Sequence, residues 1–272
     1  MQIFGTDKVI VVTGASSGIG LALALQALEG GSKVAVCGRD NAKLEAAFSS
    51  VNNKEKLLLH VADVASEADC SRFVTAVLAK WGRMDTLVCN AGMSMRALFE
   101  TVDLKVLKQL MDVNFWGTVH MAKHALPALK KNKGTIIGIS SIAGYRGLPG
   151  RTGYSSSKFA MQGFLESLRT ELLHAGVHVM WAAPGFTASN IRNTALNAGG
   201  QAQKETPLAE DKLMSAETCA ALIWRAAEKR KRTVVMTLQG KATVWLNKLL
   251  PGFMDGMVFG HFAKEPGSPL KK

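Results

Sequence analysis

Residues 9–12, 33–37, 57–61, 86–89, 135–139 and 177–182 form short runs of mostly aliphatic and β-branched side chains with few polar interruptions. Such runs fit strands buried on both faces, because a strand with one wet face alternates apolar and polar residues. Between them lie longer segments whose apolar residues recur every three or four positions, the period of an amphipathic helix. Parallel strands need crossover connections, so the alternation predicts a parallel sheet with helices on both faces. A helix at 215–228 and a seventh strand at 233–236 complete the series. The predicted fold class is α/β, a doubly wound parallel sheet of about seven strands.

Two helical patterns are long, at 104–130 and 154–175, and residues such as Phe159, Phe164, Leu165 and Leu168 give the second a stripe suited to core or subunit packing. After the sixth strand a polar stretch at 187–212, rich in Asn, Ala, Gly and Gln, is longer than an ordinary connection. That length predicts a binding loop over the carboxyl edge of the sheet. Residues 1–238 therefore read as one domain and 239–272 as an extension. In the extension Trp245, Leu249, Phe253 and Met257 recur every four residues, with Leu246, Leu250 and Phe259 nearby. Pro251 interrupts the stripe and Lys241, Lys248 and Asp255 break its hydrophobicity, so it does not span a bilayer. The stripe predicts packing against a neighbouring subunit or over the substrate pocket. The alternative is a membrane interface, aided by Lys264, Lys271 and Lys272.

A chain of 272 residues with 47% hydrophobic content buries a sizeable core and sits at the upper end of a single domain. Cys37, Cys70, Cys89 and Cys219 are scattered without a C-x-x-C pair, which predicts buried, reduced thiols rather than a disulfide framework or zinc site. Near the start only a four-residue apolar run precedes a glycine-rich turn, and neither an N-x-[S/T] sequon nor a run of about 18 apolar residues occurs. These features predict a cytoplasmic protein, peripheral to a membrane at most through 239–272. The formal charge of +12 attracts anions of any kind. Its most concentrated run, Lys229 to Arg232, ends a helical pattern, where cations meet the negative end of the helix dipole. No aromatics interleave with it, so no nucleic-acid partner is expected. His120 and His124 have a zinc-ligand spacing, but Met121 stands where a metalloprotease has Glu, and no third ligand accompanies them. No metal is expected.

The first strand runs into Thr13-Gly14-Ala15-Ser16-Ser17-Gly18-Ile19-Gly20, followed by good helix formers from Leu21 to Leu28. Glycines between a strand and a helix let the backbone turn tightly and approach a pyrophosphate, with helix N-terminal N–H groups aimed at it. Farther along, Tyr154 and Lys158 stand four apart in a helical pattern and share one face. A phenol has a pKa of about 10, and a nearby ammonium favours the phenolate, so this pair predicts a proton-exchanging tyrosine.

The glycine loop TGASSGIG resembles that of the short-chain dehydrogenase/reductase family, and four further motifs stand in the family's order. Asn90-Ala91-Gly92 follows the fourth strand, Asn114 lies in the 104–130 helix, Ser141 stands 13 residues before Tyr154, and Tyr154 to Lys158 reads Y-x-x-x-K. Pro184-Gly185 follows the sixth strand, and the resemblance covers roughly residues 7–236. It implies a Rossmann-type sheet with Asn114, Ser141, Tyr154 and Lys158 as the catalytic set. Tyr154 would protonate the developing alkoxide, with Ser141 donating to the same oxygen. Lys158 would also hold the nicotinamide ribose, and Asn114 would support a proton path behind it. Gly14, Ser16, Ser17, Gly18, Ile19 and Gly20 would cradle the cofactor. Asp63 and Val64 would flank the adenine, with Asn90, Ala91, Gly92, Val113, Pro184, Gly185 and Thr187 completing the contacts. The second strand ends Cys37-Gly38-Arg39-Asp40, placing Gly38 where NAD-dependent members carry Asp and Arg39 where it pairs with a 2′-phosphate. Asp40 reads as the N-cap of a helix at 41–51. The implied cofactor is NADP(H).

Residues 93–98, 143–153 and 187–212 are expected to line the pocket, and several are small or apolar. A carbonyl or secondary alcohol on an apolar or lipid-like molecule is the expected substrate, and a 3-oxoacyl thioester the enzymatic alternative. A non-catalytic NADP sensor or a membrane-surface protein on the same fold are readings from other classes. The resemblance implies a homodimer or homotetramer associating through the two long helices.

Overall fold

The computed structural model describes residues 3–185, 187, 191–203 and 213–270. Its sheet has seven parallel strands in the order β3-β2-β1-β4-β5-β6-β7: β1 Val9–Thr13, β2 Lys33–Gly38, β3 Leu57–Val61, β4 Thr86–Cys89, β5 Thr135–Ile139, β6 His178–Ala183 and β7 Thr233–Val235. Every residue of β1, β4, β5 and β6 is buried. That explains why these strands read as unbroken apolar runs.

Alternate residues of β1 feed two separate cores. Ile10 and Val12 pack with residues of α1 (Gly18–Glu29), α2 (Asn41–Ala47) and α7 (Ala216–Glu228). Val9 and Val11 pack with α3 (Glu67–Trp81), α5 (Gly117–Lys131) and α6 (Thr152–Glu171) on the other face. The strand order reverses beside β1, where β2 lies on one side and β4 on the other, and a crevice opens at the carboxyl ends there.

Helix ends depart from the sequence expectation in places. The helix expected at 41–51 stops at Ala47. Leu44 is its only buried residue, and Ser49 turns its hydroxyl onto the Ala46 carbonyl, a local bond that competes with helical continuation. Asp40 does cap this helix, accepting from Lys43 N at 3.1 Å. The 104–130 segment is α4 (Leu104–Met111), one π turn (Asp112–Trp116) and α5 in succession. The second long helix begins at Thr152 and ends at Glu171, before a short 3-10 turn, Leu173–Ala175, that leads to Gly176 in the left-handed region (φ 74°).

The extension forms α8 (Leu238–Leu249) and α9 (Pro251–Ala263), with Pro251 at the first position of α9. The ridge that packs within the chain is Met254, Val258 and Phe262, set against Leu148, Leu246 and Leu270. It is not the expected stripe: Trp245 is 66% exposed and Phe253 62%, whereas Met254 is 2% exposed. The expected stripe thus lies on the exposed face of the extension, and the ridge that packs inward, one residue farther along α9, is one the four-residue spacing did not single out. Lys271 and Lys272 lie outside the described residues. No described helix is long and apolar enough to cross a membrane.

Candidate active site

Where the crevice opens, the loop after β1 crosses the loop after β4 at close range. A Cβ on Gly14 (φ 64°) would stand 2.7 Å from the Ala91 Cα, and one on Gly20 would stand 2.3 Å from Asn90 Nδ2, so both positions require glycine. Thr13 Oγ1 accepts from the backbone N–H groups of Asn90 and Ala91, each at 3.0 Å. Asn90 Nδ2 returns bonds to the Thr13 and Gly14 carbonyls, each at 2.9 Å. Thr13 was not among the expected site residues, yet its hydroxyl pins the two loops together.

The loop of Ser16, Ser17, Gly18 and Ile19 leads into α1, whose first turn has no acidic side chain and no side-chain cap from Ser17. The helix therefore presents unpaired N–H groups and its positive dipole end to the crevice, a setting that fits a pyrophosphate. Arg39 is exposed at the end of β2. A Cβ on Gly38 would meet Leu44 Cδ2 at 3.4 Å, so a side chain is tolerated there and glycine is not a packing necessity. After β3, Asp63 Oδ1 accepts from Ala65 N at 3.0 Å, and Val64 is buried. Val113 is half-buried against the α3–α5–α6 core. Pro184 and Gly185 follow β6, and Thr187 Oγ1 donates to the Gly185 carbonyl at 3.3 Å.

Two of the four residues expected to act together, Asn114 and Lys158, converge beside Gly92. A Cβ there would lie 3.1 Å from Asn114 Oδ1 and 3.4 Å from Lys158 Nζ. The Asn114 amide is fully buried in the π turn, where it accepts from Met93 N (2.8 Å) and donates to the Met93 carbonyl (3.0 Å) and Ser157 Oγ (2.8 Å). Ser157 in turn donates to the Tyr154 carbonyl at 2.8 Å. A π turn at the asparagine expected to act in the site agrees with where such bulges concentrate. Lys158 is 3% exposed and donates to the Ile139 carbonyl at 2.8 Å.

Electrostatics depart from the simple picture of an ammonium drawing a proton from a phenol. Burial pushes the Tyr154 phenol above its usual value, opposed by a hydrogen bond with Ser141 and by the charge of Arg151. Burial lowers Lys158 to about 8, and its Nζ stands 5.8 Å from the Tyr154 ring centre. Desolvation dominates both groups, so the four-residue spacing alone does not activate the tyrosine in the free protein.

The three segments expected to line a pocket do meet. Arg96 N donates to the Leu196 carbonyl at 2.8 Å, Leu196 N to Ser94 at 2.9 Å, and Ala97 N to Gly150 at 2.9 Å. Tyr154 packs there with Met93, Met95, Leu107, Leu110, Leu196 and Ala198, an apolar surround. Of the expected loop 187–212, residues 188–190 and 204–212 lie outside the described residues. A separate hollow of about 620 Å³ between α6 and α9 is lined by Arg146, Thr152, Phe159 and Phe259, among others, without Tyr154 or Ser141. His120 bonds the Val64 carbonyl and His124 meets Glu67 at 3.4 Å, and no metal-binding cluster occurs among the described residues. All four cysteines are free and buried.

A doubly wound sheet with a glycine cradle at its strand-order reversal defines a dinucleotide-binding fold of the Rossmann type. Residues 8–199 match the family described as short chain dehydrogenase, and the chain belongs to that family, whose members act on CH–OH and C=O groups. It is 30% identical over 273 residues to 11-beta-hydroxysteroid dehydrogenase A of Sesamum indicum, covering 97% of this chain and 78% of that protein. A short chain dehydrogenase from Burkholderia cenocepacia J2315 in complex with NADP is similar, at TM-score 0.79 and 25% identity over 95% of this chain and 99% of that one. A short chain dehydrogenase/reductase from Burkholderia phymatum in complex with NAD shares the fold at TM-score 0.81 and 23% identity, over 93% of this chain and 96% of that one.

Proposed function

We propose that this chain is an NADP(H)-dependent oxidoreductase that interconverts a carbonyl and a secondary alcohol on an apolar, lipid-like substrate, with Tyr154 exchanging the proton. The observation that carries the reading is Tyr154 itself. Its phenol is paired with Ser141 and lies against an apolar cluster, on the helix whose Ser157 bonds Asn114 and whose Lys158 lies with Asn114 beside Gly92. A structural tyrosine has no need of that polar chain behind it.

The residues present fit the cofactor: the Gly14–Gly20 cradle and open α1 N-terminus suit a pyrophosphate, and exposed Arg39 suits a 2′-phosphate. When bound, the cofactor supplies or takes the hydride. Tyr154 donates a proton to the carbonyl oxygen in reduction and accepts it in oxidation, while Ser141 hydrogen-bonds the same oxygen. Lys158 and Asn114 hold the route by which that proton is replaced. Met93, Met95 and Leu196 exclude water from one side of the reacting group and favour an apolar substrate. The hydroxysteroid dehydrogenase name carried by the Sesamum relative supports bulky apolar ketones as the first class to try. Leu104, Trp116 and Phe159, exposed on α4, the π turn and α6, support a homodimer or homotetramer.

The test is NADPH oxidation against a panel of steroid and other bulky ketones, aldehydes and 3-oxoacyl thioesters. The highest kcat/KM is expected with apolar ketones. Turnover confined to the thioesters would replace the substrate class, and no turnover with any carbonyl would overturn the reading.

A further inference from the structure

The segment after α9 returns to the catalytic half of the molecule and buries a carboxylate there. Glu265 has a side chain 6% exposed, with Oε2 3.1 Å from Arg151 Nη2 and 3.4 Å from Arg96 Nη2. A carboxylate so removed from water persists only when paired. Both partners are themselves enclosed, Arg96 at 8% and Arg151 at 16% exposure. The Arg151 guanidinium also stacks 4.5 Å from the Phe262 ring centre, and Arg96 donates to the Pro266 carbonyl.

The two arginines belong to the segments that frame Tyr154. Arg151 immediately precedes α6, and its carbonyl accepts from Ser155 N at 2.8 Å in the first helical turn. Arg96 lies on the strip paired to Leu196, and its carbonyl accepts from Gln203 Nε2 at 2.7 Å. Glu265 therefore joins the start of the catalytic helix to the strip beyond β4. Two cations and one anion leave one surplus positive charge near the phenol.

Resting on the reading of Tyr154 as the proton-exchanging group, we propose that Glu265 is a positioning residue for Tyr154: the tail carboxylate holds the Arg151 guanidinium at the start of the catalytic helix and balances its charge. The polar and charged groups facing or near the phenol among the described residues are the Ser141 hydroxyl, the Arg151 guanidinium and Lys158 Nζ. Arg96 and Glu265 act through Arg151, while α4, Leu196 and Ala198 contribute apolar side chains to the cluster around Tyr154. The Arg151 charge already opposes the upward push of burial on Tyr154. Neutralising Glu265 leaves that charge less compensated and favours the phenolate further. Removing Arg151 does the reverse.

The experiment is the pH profile of kcat for alcohol oxidation, where the deprotonated tyrosine is required, on the full chain with saturating cofactor. Glu265→Gln keeps the size and a hydrogen-bond acceptor for Arg151, and the apparent pKa is expected to fall by about 0.5 unit or more. Arg151→Gln is expected to raise it by a similar amount, and Glu265→Asp to keep the wild-type profile. Opposite shifts separate this role from a clasp that merely docks the tail, since undocking moves both variants the same way or lowers Tm without moving the profile. Either of those results overturns the proposal. If Glu265→Gln does not fold, Arg151→Gln decides alone: an unchanged or lowered apparent pKa overturns it. Tyr154→Phe, run alongside, identifies failure of the underlying reading, because retained turnover there removes Tyr154 regardless of the tail.

Discussion

Lys158 Nζ donates a 2.8 Å hydrogen bond to the carbonyl of Ile139, the last residue of β5, and stands 5.8 Å from the centre of the Tyr154 ring. The ammonium is thus anchored to the end of the sheet, and burial makes its charge costly. Its value of about 8 lies below the ordinary 10.5.

That depression predicts how stability varies with pH. Below 8 both folded and unfolded chains carry the proton, and the folded state bears the full cost of the buried charge. Between 8 and 10.5 the unfolded chain holds a proton that the folded chain has released, so this group's contribution to stability rises with pH. The gain amounts to about 3 kcal/mol at most across that window. Urea unfolding of the cofactor-free protein at several pH values, compared with Lys158→Met, measures it. The difference between the two proteins is expected to grow in favour of wild type from pH 8 upward. A difference independent of pH would show that Lys158 is not depressed.

Tyr154→Phe removes the hydroxyl and keeps the ring that packs with Met95 and Leu196. NADPH affinity is expected to stay near wild type while kcat falls about 10²- to 10⁴-fold, the usual worth of a general acid. Ser141→Ala is also expected to lower kcat, since it removes the phenol's hydrogen-bond partner. Single-turnover kinetics with a good substrate checks both, and near-normal chemistry in the phenylalanine variant would reassign the proton donor.

The central strands were legible because they are buried on both faces: β4 and β5 begin and end at the residues where the apolar runs do, and so does the less buried edge strand β3. The Asp40 cap was legible for a local reason, a short carboxylate three residues before the N–H it accepts. The inward face of α9 was not, because an apolar helix with exposed and buried ridges one residue apart gives the same spacing for either. Nor was Glu265, whose partner Arg151 lies 114 residues earlier in the chain. A lone Glu near a basic terminus carries no pattern, and only the folded chain brings it against two arginines. The π turn at Asn114 was hidden too, since one added residue in a helical turn leaves the apolar period nearly intact.

Trp245, Leu249, Phe253 and Met257 remain exposed on α8 and α9, four large apolar side chains unlike a solvated helix face. The expectation retained from the sequence is a contact with a neighbouring subunit. Trp245→Ser with Phe253→Ser is expected to lower the mass measured by sedimentation velocity without lowering Tm, because neither side chain is packed inside the chain. Unchanged mass together with lost binding to anionic vesicles would place the surface at a membrane instead.

The proposed preference for NADP(H) rests on two adjacent residues. Gly38 leaves empty the position where a carboxylate repels a 2′-phosphate, and Arg39 stands exposed beside it. A guanidinium makes charge-assisted hydrogen bonds with phosphate, and bonds to charged groups contribute about 1.5 to 3 kcal/mol each. One good contact therefore corresponds to roughly a 10- to 150-fold preference in kcat/KM for NADPH over NADH. Gly38→Asp with Arg39→Leu is expected to reverse that preference, because it adds repulsion while removing attraction. The packing permits the change, since a Cβ at position 38 meets Leu44 no closer than 3.4 Å. Arg39→Leu alone separates the two effects: it is expected to lower kcat/KM for NADPH and leave that for NADH within about threefold, having no phosphate to lose. The ratio is expected to shrink as salt rises, because an exposed ion pair is screened. Measuring both cofactors on one substrate at fixed ionic strength is sufficient, and a wild-type preference for NADH would overturn the assignment without any variant.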